Sequence, residues 1–569
     1  MSRPASFRYY ALFALGVITL ATTTLGVWQH FSPLPIGDSW DGTIGFYLRA
    51  MQDPWRAFFE QHNEHRLTFS RLIFFPDVRY FGGRNVLSLA ANLVLAGALA
   101  VTFWRIAIHH RATLSREARF GLAGCVLVFA FSWVQKENFT WGFQSQWFAV
   151  YLFALLAFHA IDLCAEAQAR GERGKSSGWF IAALASGWLA AYSMSSGVLV
   201  FPVLIAQAVY VRLKPRELVL LTAVTVAVWL AYFLDWHKSP SSGDLTTGLS
   251  LHPFIALRFV LLYLGAPAFG ARLGLVGGYI AGAFALAALA VYGVRALQPG
   301  ERHPQGLALL VFALFIAGNA LLTAGGRLWS GVESALASRY TTASLAGWLA
   351  LIIFAALNSR SAKQRKRVAL VAVLAIVIVA SAQRLMLRTD QDQTYARLVA
   401  GLALRAHVYD ASVTRPLYPF PDVLAAIARD AEAAKLSLFA ADQPDYLVPP
   451  DAIHASSSCD GAIDDISATT TAGIDRATGW IYAPADSEVP HAVVITDAAG
   501  TTLGTGISGA QRDDMRKVYG HRAGYSGWTA FFKAPANGDI RLAGQTATGA
   551  YCAVNRVKPM PEPQLPRAG

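Results

Sequence analysis

Long apolar runs broken by short polar, basic stretches set the rhythm of this chain, and a bilayer core about 30 Å thick needs roughly 20 apolar residues per helical span. Runs of that kind cover Tyr9 to Trp28, Val86 to Trp104, Phe120 to Val134, Phe143 to Leu163, Trp179 to Tyr192, Val198 to Val211, Leu218 to Leu234, Leu275 to Val294, Leu307 to Ala324, Ser344 to Leu357 and Val368 to Leu385. The pattern predicts a mostly α, polytopic membrane protein of about eleven spans. The segments around Ser195 and Ser196 are short enough to be tilted or broken helices.

The pattern changes twice. Between the first two spans, His30 to Asn85 is too polar to span and too long for a turn. "WDGTIGFYLRAM" and "PWRAFFEQHNEHRLTFSRLIF" offer apolar residues at helical spacing, with Pro54 as a helix start, and read as helices lying on the membrane. After the last span, "TYARLVAGLALRAHVYDA" and "PDVLAAIARDAEAAKLSLFA" are helical by period. From Cys459 onward strands alternate with the turn signals Asp-Ala-Ala-Gly, Gly-Ile-Ser-Gly and Ala-Asn-Gly, predicting a small β-sandwich. The expected organisation is a membrane domain over 1–388 with its first outer loop at 30–85, a helical connector over 389–455, a β-sandwich over 456–558, and a Pro-rich disordered tail over 559–569.

Composition agrees with the pattern: 54% of the 569 residues are hydrophobic and 15% charged. Lys and Arg outnumber Asp and Glu by 48 to 36. The basic residues concentrate in the N-terminus (Arg3, Arg8) and in the stretches Arg105 to Arg119, Arg170 to Lys175, Arg212 to Arg216, Arg295 to Arg302 and Ser359 to Arg367. All fall on one side if the first helix starts in the cytoplasm, which explains the net charge by topology and leaves no case for nucleic-acid binding. The first apolar run is too long for a typical cleavable signal and reads as a signal anchor. The same alternation puts the loops near Phe31, Gln135, Ser193, Asp235 and Arg327, and the C-terminal region, outside. Cys459 and Cys552 bracket the predicted sheet in an oxidising compartment and are expected to join its first and last strands. Cys125 and Cys164 read as packing residues.

Polar residues at the outer ends of spans are costly unless they pair or line a cavity. Five clusters recur on that side: "GDSWDG" with Asp38 and Asp41; "EQHNEHR" with Glu60, His62, Glu64, His65 and Arg66, followed by Arg71; "QKENFTWGFQSQW" with Glu137, Asn138, Trp141, Gln144 and Gln146; "YSMSSG" with Tyr192, Ser195 and Ser196; and "GRLWSGVESALASRYTT" with Arg327, Glu333, Ser338, Arg339 and Tyr340. Singly, each reads as a polar lip or a snorkelling anchor. Together they supply acids, amides and cations on one face.

An acidic residue just after the first span, about eleven spans, short basic inner loops and an outer C-terminal domain resemble the GT-C class of polyprenyl-phosphate-sugar-dependent glycosyltransferases. "HNEHR", "ENFTWGFQ", "AAYSMSSGVLVFPV" and "ALASRYTT" are similar to bacterial membrane proteins of a glycosyltransferase family. The β region, with "GISGAQRDDMRKVYG" and "GWTAFF", resembles modules that accompany such transferases, by fold-level analogy. The resemblance implies an inverting transfer of sugar from a polyprenyl-phosphate donor to a glycan, glycolipid or protein acceptor, at the outer face of the bacterial inner membrane, with membrane lipids as further partners.

That chemistry needs a carboxylate to accept the acceptor's proton and cations for the departing phosphate. The resemblance implies a catalytic acid near the start of the first outer loop, which makes Asp38 the first candidate base, and Gly37 frees the backbone beside it. Asp41, three residues on, and Glu64 are the rivals. A helix through "EQHNEHRLTFSR" would put Glu60 and Glu64 on one face, with His65, Arg66 and Arg71 toward phosphate or sugar. Arg327 and Arg339 match phosphate bidentately, and Tyr340 stands beside Arg339 in sequence. Glu137, Asn138, Gln144 and Tyr192 complete the expected donor site. The pair His62 and His65 lacks a third His or Cys in register and does not form HExxH, which argues against a zinc hydrolase. The class includes members with and without a divalent cation, and the residues leave the cofactor open. Two other readings remain: an O-antigen ligase or polymerase, which would place its polar residues in a late loop, and a non-catalytic assembly or transport protein, which shows neither the internal repeat nor the broken-helix pair of a transporter.

Overall fold

In the computed structural model, residues 3–111, 113–239, 243, 252–298, 304–388, 390–440, 453–535 and 539–554 are described. The expected tail and the Ala536-Asn537-Gly538 turn lie outside them. Among the described residues nine helices are long and apolar enough to cross a membrane.

Two expected spans fall short and an unexpected helix appears. Helix Arg173–Ala191 opens on the polar sequence RGKSSG and is not among the nine. The run from Val198 is a short apolar helix, Val200–Tyr210, entered through a tight turn at Ser195–Leu199. The loop expected from Asp235 to Leu275 instead contains the helix Pro253–Ala268, which joins helix Gly274–Leu297 through a break where Arg272 and Gly274 take φ of 69° and 70°. Arg258, Gly265 and Pro267 interrupt the apolar run of this helix, PFIALRFVLLYLGAPA, and make it read as a loop. The glycines serve packing: a Cβ on Gly265 would lie 1.8 Å from the Gly278 carbonyl oxygen, and one on Gly282 1.8 Å from that of Leu261. The two helices therefore touch backbone to backbone.

The chain divides into two compact units. The first comprises Met1–Phe31, Gln52–Pro76 and Val86–Arg388, and is the helical bundle. Its core is a continuous cluster of Leu, Ile, Val, Phe and Ala from the long helices. The basic stretches collect at one end: His109 meets Glu166, Arg111 donates to the carbonyls of Ala356 and Leu357, and the Tyr210 hydroxyl donates to Ala296. The opposite helix ends carry the polar clusters.

Gln52–Pro76 departs from the expected helix. Asp53 caps the helix Pro54–Phe59, its side chain accepting from the Arg56 N–H at 3.0 Å. The chain then forms a two-stranded hairpin, β1 (Gln61–His62) and β2 (His65–Arg66), turning at Asn63 with φ 50°. Glu60 and Glu64 thus share no helical face. The i, i+4 spacing of two acids is compatible with a helix but does not require one, and Asn63 supplies the left-handed turn.

The second unit comprises Ser32–Met51, Asp77–Asn85 and Thr389–Gly569. Here the π-helical turn Trp40–Gly45 runs into helix Phe46–Ala50, with Trp40, Ile44 and Phe46 fully buried. The Gly37 N–H donates to the Leu417 carbonyl at 2.6 Å and the Ser437 N–H to that of Gly82 at 2.8 Å, tying the early segments to the stretches just after the helices Ala411–Thr414 and Pro421–Ala433.

The β region is a closed barrel, not a sandwich. Its strands, β3 (Ala455–Ala468), β4 (Ile474–Tyr482), β5 (Ala492–Thr496), β6 (Thr502–Ala510), β7 (Gly527–Lys533), β8 (Arg541–Gln545) and β9 (Tyr551–Val554), follow the order β3-β4-β7-β6-β5-β8-β9, and β9 closes onto β3 in parallel. Strand alternation is the same in both architectures; closure depends on the long β3 pairing at both edges. Gly506 and Gly509, expected to bound a turn, lie inside β6, and at Gly504 and Gly506 a Cβ would come within 2.1 Å and 2.7 Å of the backbone of β7. The Asp497–Gly500 turn is as expected, with the Thr501 N–H donating to the Asp497 carboxylate at 2.8 Å and Gly500 at φ 88°. Cys459 and Cys552 form a disulfide between first and last strands.

Candidate active site

At the polar end of the bundle the hairpin is moored to three other segments. The Phe69 N–H donates to the Tyr192 carbonyl at 3.1 Å. Gln61 exchanges hydrogen bonds with the His237 backbone. His65 Nδ1 faces the Ser195 N–H at 3.2 Å and the Ser195 Oγ at 2.9 Å. Because a backbone N–H donates to it, Nδ1 is the acceptor and the ring proton sits on Nε2.

Two arginines expected to meet phosphate hold the hairpin instead. Arg66 donates to the carbonyls of Tyr232 (2.7 Å), Phe59 (2.5 Å) and Leu234. Arg71 is fully buried and donates to the carbonyls of Phe58 (3.1 Å) and Glu60 (2.6 Å). Guanidinium offers five donors in a fixed fork, which suits it to collecting carbonyls that secondary structure leaves unpaired.

Glu64 and Arg327 form an ion pair at 2.9 Å, both side chains partly exposed. The Glu64 carbonyl accepts from the Tyr232 hydroxyl at 3.2 Å. A second pair joins Glu137 and Arg339, also at 2.9 Å, and the other Glu137 oxygen accepts the Arg339 N–H at 3.2 Å. The Arg339 guanidinium lies 5.1 Å from the Tyr340 ring centroid. Asn138 anchors this corner, donating to the Arg339 carbonyl at 2.8 Å and to the Thr342 hydroxyl at 2.7 Å. Below it, Tyr340 stacks on Tyr263 and meets Trp147 edge-on. Gln144 is buried, and its Oε1 has no hydrogen-bond partner among the described residues.

Asp38 and Asp41 lie in the second unit. Gly37 takes φ 51°, the left-handed geometry that glycine adopts without strain. Asp41 pairs with Arg49 at 2.9 Å. The Asp38 carboxylate, only partly buried, has no hydrogen bond or ion pair to another described residue. Burial, and then the charges of Asp41 and Asp38, push the Tyr418 hydroxyl up to about 12.

Several structural partners escaped the sequence reading. Asn92 donates to the carbonyls of Asn138 and Trp141, and Asn319 donates to the hydroxyls of Tyr151 and Tyr263. Both are lone amides inside apolar runs, a signal that marks a buried polar contact. Arg49, paired with Asp41, carries no such signal, while Ser338, named within its cluster, donates from its Oγ to the Val134 carbonyl at 2.8 Å.

No family model and no curated relative matches the chain. Among solved structures it is similar to the archaeal oligosaccharyltransferase AglB from Archaeoglobus fulgidus, in complex with an inhibitory peptide and a dolichol-phosphate, at a TM-score of 0.41 and 13% identity. The match covers 71% of this chain and 59% of the neighbour, so the chain spans less than two thirds of that protein's length.

Proposed function

We propose that this protein is a membrane glycosyltransferase of GT-C type that moves a sugar, with inversion, from a polyprenyl-phosphate donor to a glycan, glycolipid or protein acceptor. The observation that carries the reading is the distribution of charge along the bundle. Basic loops gather at one end, while the other presents two arginines, Arg327 and Arg339, each held at 2.9 Å by a carboxylate. The positive-inside rule assigns the basic end to the cytoplasm and the paired arginines to the periplasmic side of a bacterial inner membrane.

An arginine that is already aimed and partly exposed can exchange its carboxylate for a phosphate, which offers the same bidentate pair of oxygens and, as it departs, more charge. Arg339, with Tyr340 beside it, and Arg327 are assigned to the donor phosphate. Asp38 is assigned as the base because the resemblance expects a catalytic acid early in the first outer loop, and its carboxylate, unlike those of Asp41, Glu64 and Glu137, is not tied to an arginine. Glu64 and Glu137 then position the arginines, while Arg66 and Arg71 hold the hairpin.

The test is transfer of labelled sugar from a polyprenyl-phosphate donor pool in membranes carrying wild type, Asp38→Asn, Glu64→Gln or Arg339→Lys at matched expression. Loss in Asp38→Asn with partial loss in the other two supports the assignment. Transfer in all four equal to that of membranes lacking the protein refutes it.

A further inference from the structure

The basic end of the bundle holds a second cluster of chemistry-bearing side chains, unrelated to the transfer reading. His109 and His110 close helix Val86–His110, and Glu166 lies near the end of helix Ser145–Ala169. One donor atom from each of the three lies within 4.8 Å of the others. His109 Nε2 stands 3.1 Å and 3.3 Å from the two Glu166 oxygens.

Two further observations point to a missing partner. His110 Nε2 and His159 Nδ1 are buried, and neither has a hydrogen-bond partner among the described residues, although buried polar atoms are ordinarily paired. The His159 ring centroid is 6.0 Å from that of His109. His159 precedes Glu166 by seven residues, which places both on one face of their helix.

We propose that His109, His110 and Glu166 bind a divalent transition metal with the ligand preference of zinc, His159 standing next to them as a fourth donor. Ligands sharing a tetrahedral zinc at about 2.0–2.1 Å lie roughly 3.4 Å apart. The His109–Glu166 pair already has this spacing, and rotation of the His110 ring covers the rest. Two imidazoles and one carboxylate suit zinc and its neighbours rather than magnesium or calcium, which take oxygen ligands. The competing cation is Arg170, 3.6 Å from Glu166 and more than half exposed, so it can swing into solvent when a metal enters. The ion would clip together the ends of two helices that already meet there through the His109–Glu166 and His109–His159 contacts.

The test uses the full chain in detergent, without a histidine tag, treated with chelator, equilibrated with zinc or cobalt and desalted. Metal per chain is measured for wild type, His109→Asn, His110→Asn, Glu166→Gln and, as a control, the exposed His521→Asn. Wild type and control are expected to retain about one ion per chain, and the cobalt form to show the intense visible bands of a tetrahedral site. Each of the three ligand variants should lose about tenfold or more in affinity together with those bands. His109 and Glu166 are partly exposed, so their variants are expected to fold, which elution and helical circular dichroism check. No retained metal in wild type, or equal retention in all five proteins, overturns the proposal.

Discussion

Glu137 grips Arg339 twice: one carboxylate oxygen meets the guanidinium at 2.9 Å and the other accepts the Arg339 backbone N–H at 3.2 Å. Side chain and backbone of the arginine are thereby fixed together, which aims the guanidinium without consuming all its donors. Lysine at this position keeps the charge and loses the fork. Arg339→Lys is expected to lower sugar transfer by about 10²-fold at unchanged expression, comparable with removing one preorganised donor from a charge-stabilising site. Single-turnover transfer from labelled donor measures it.

Arg66 serves structure, so its loss reads out differently. Its guanidinium satisfies carbonyls of Phe59, Tyr232 and Leu234, and each hydrogen bond from a charged donor contributes about 1.5–3 kcal/mol. Arg66→Ala should lower the unfolding temperature of the detergent-solubilised protein by several degrees. Arg66→Lys should recover less than half of that, because one ammonium cannot reach three diverging acceptors. Scanning fluorimetry of the two variants checks it, and full recovery by lysine would refute the account.

The bundle was legible because a bilayer imposes long apolar runs that a sequence cannot disguise. The helix Pro253–Ala268 was not, since Gly265, which lets it touch its neighbour, and Pro267 both read as loop signals. The hairpin at His62–His65 reads as helix in the sequence because two acids four apart fit either structure locally. What decided it was a set of distant carbonyls, those of residues 232 and 234 among them, that no local pattern reveals. Likewise β3 alternates as a sandwich strand would, and only its pairing with both β4 and β9 closes the barrel. The candidate acids and arginines were nameable from sequence; which acid stands untied was not.

The disulfide gives a direct count. Of four cysteines, Cys125 and Cys164 are free and buried. Unfolded without reductant, the chain should expose two thiols to a chromogenic reagent, and four after reduction. Loop closure across 93 residues should make Cys459→Ser/Cys552→Ser less stable by about 2–4 kcal/mol, seen as earlier proteolysis of the barrel.

An acid-sensitive contact lies on the barrel surface. Hydrogen bonds from Arg512, at 2.7 Å and 2.9 Å, hold the Asp514 carboxyl below its ordinary range. A depressed carboxylate stabilises the folded state fully above its unfolded value near 4 and loses that contribution as the pH falls through the folded one. The pair is more than half exposed on the Asp514 side, so its worth is about 0.2–1 kcal/mol. Wild type should therefore exceed Asp514→Asn in stability at pH 7, with the gap narrowing steadily below about pH 4. A gap that widens on acidification would contradict the assignment.

The backbone contact between helices Pro253–Ala268 and Gly274–Leu297 makes the sharpest structural prediction. A methyl group on Gly265 or Gly282 would lie 1.8 Å from a carbonyl oxygen of the facing helix, inside any tolerable contact, and that oxygen belongs to backbone that cannot rotate away. The helices must separate by more than an ångström, forfeiting close packing, which in a membrane has little hydrophobic driving force to replace it. Gly293 lies on the same helix with nothing within 4 Å of its added Cβ, and alanine there gains up to about 1 kcal/mol of helix propensity. Gly265→Ala and Gly282→Ala are expected to cost about 2 kcal/mol or more, in the range of overpacked cores, and Gly293→Ala to be neutral or stabilising. Unfolding temperatures and the monodisperse fraction of the three variants in one detergent decide it: equal behaviour of all three would mean that the hairpin does not pack through its glycines.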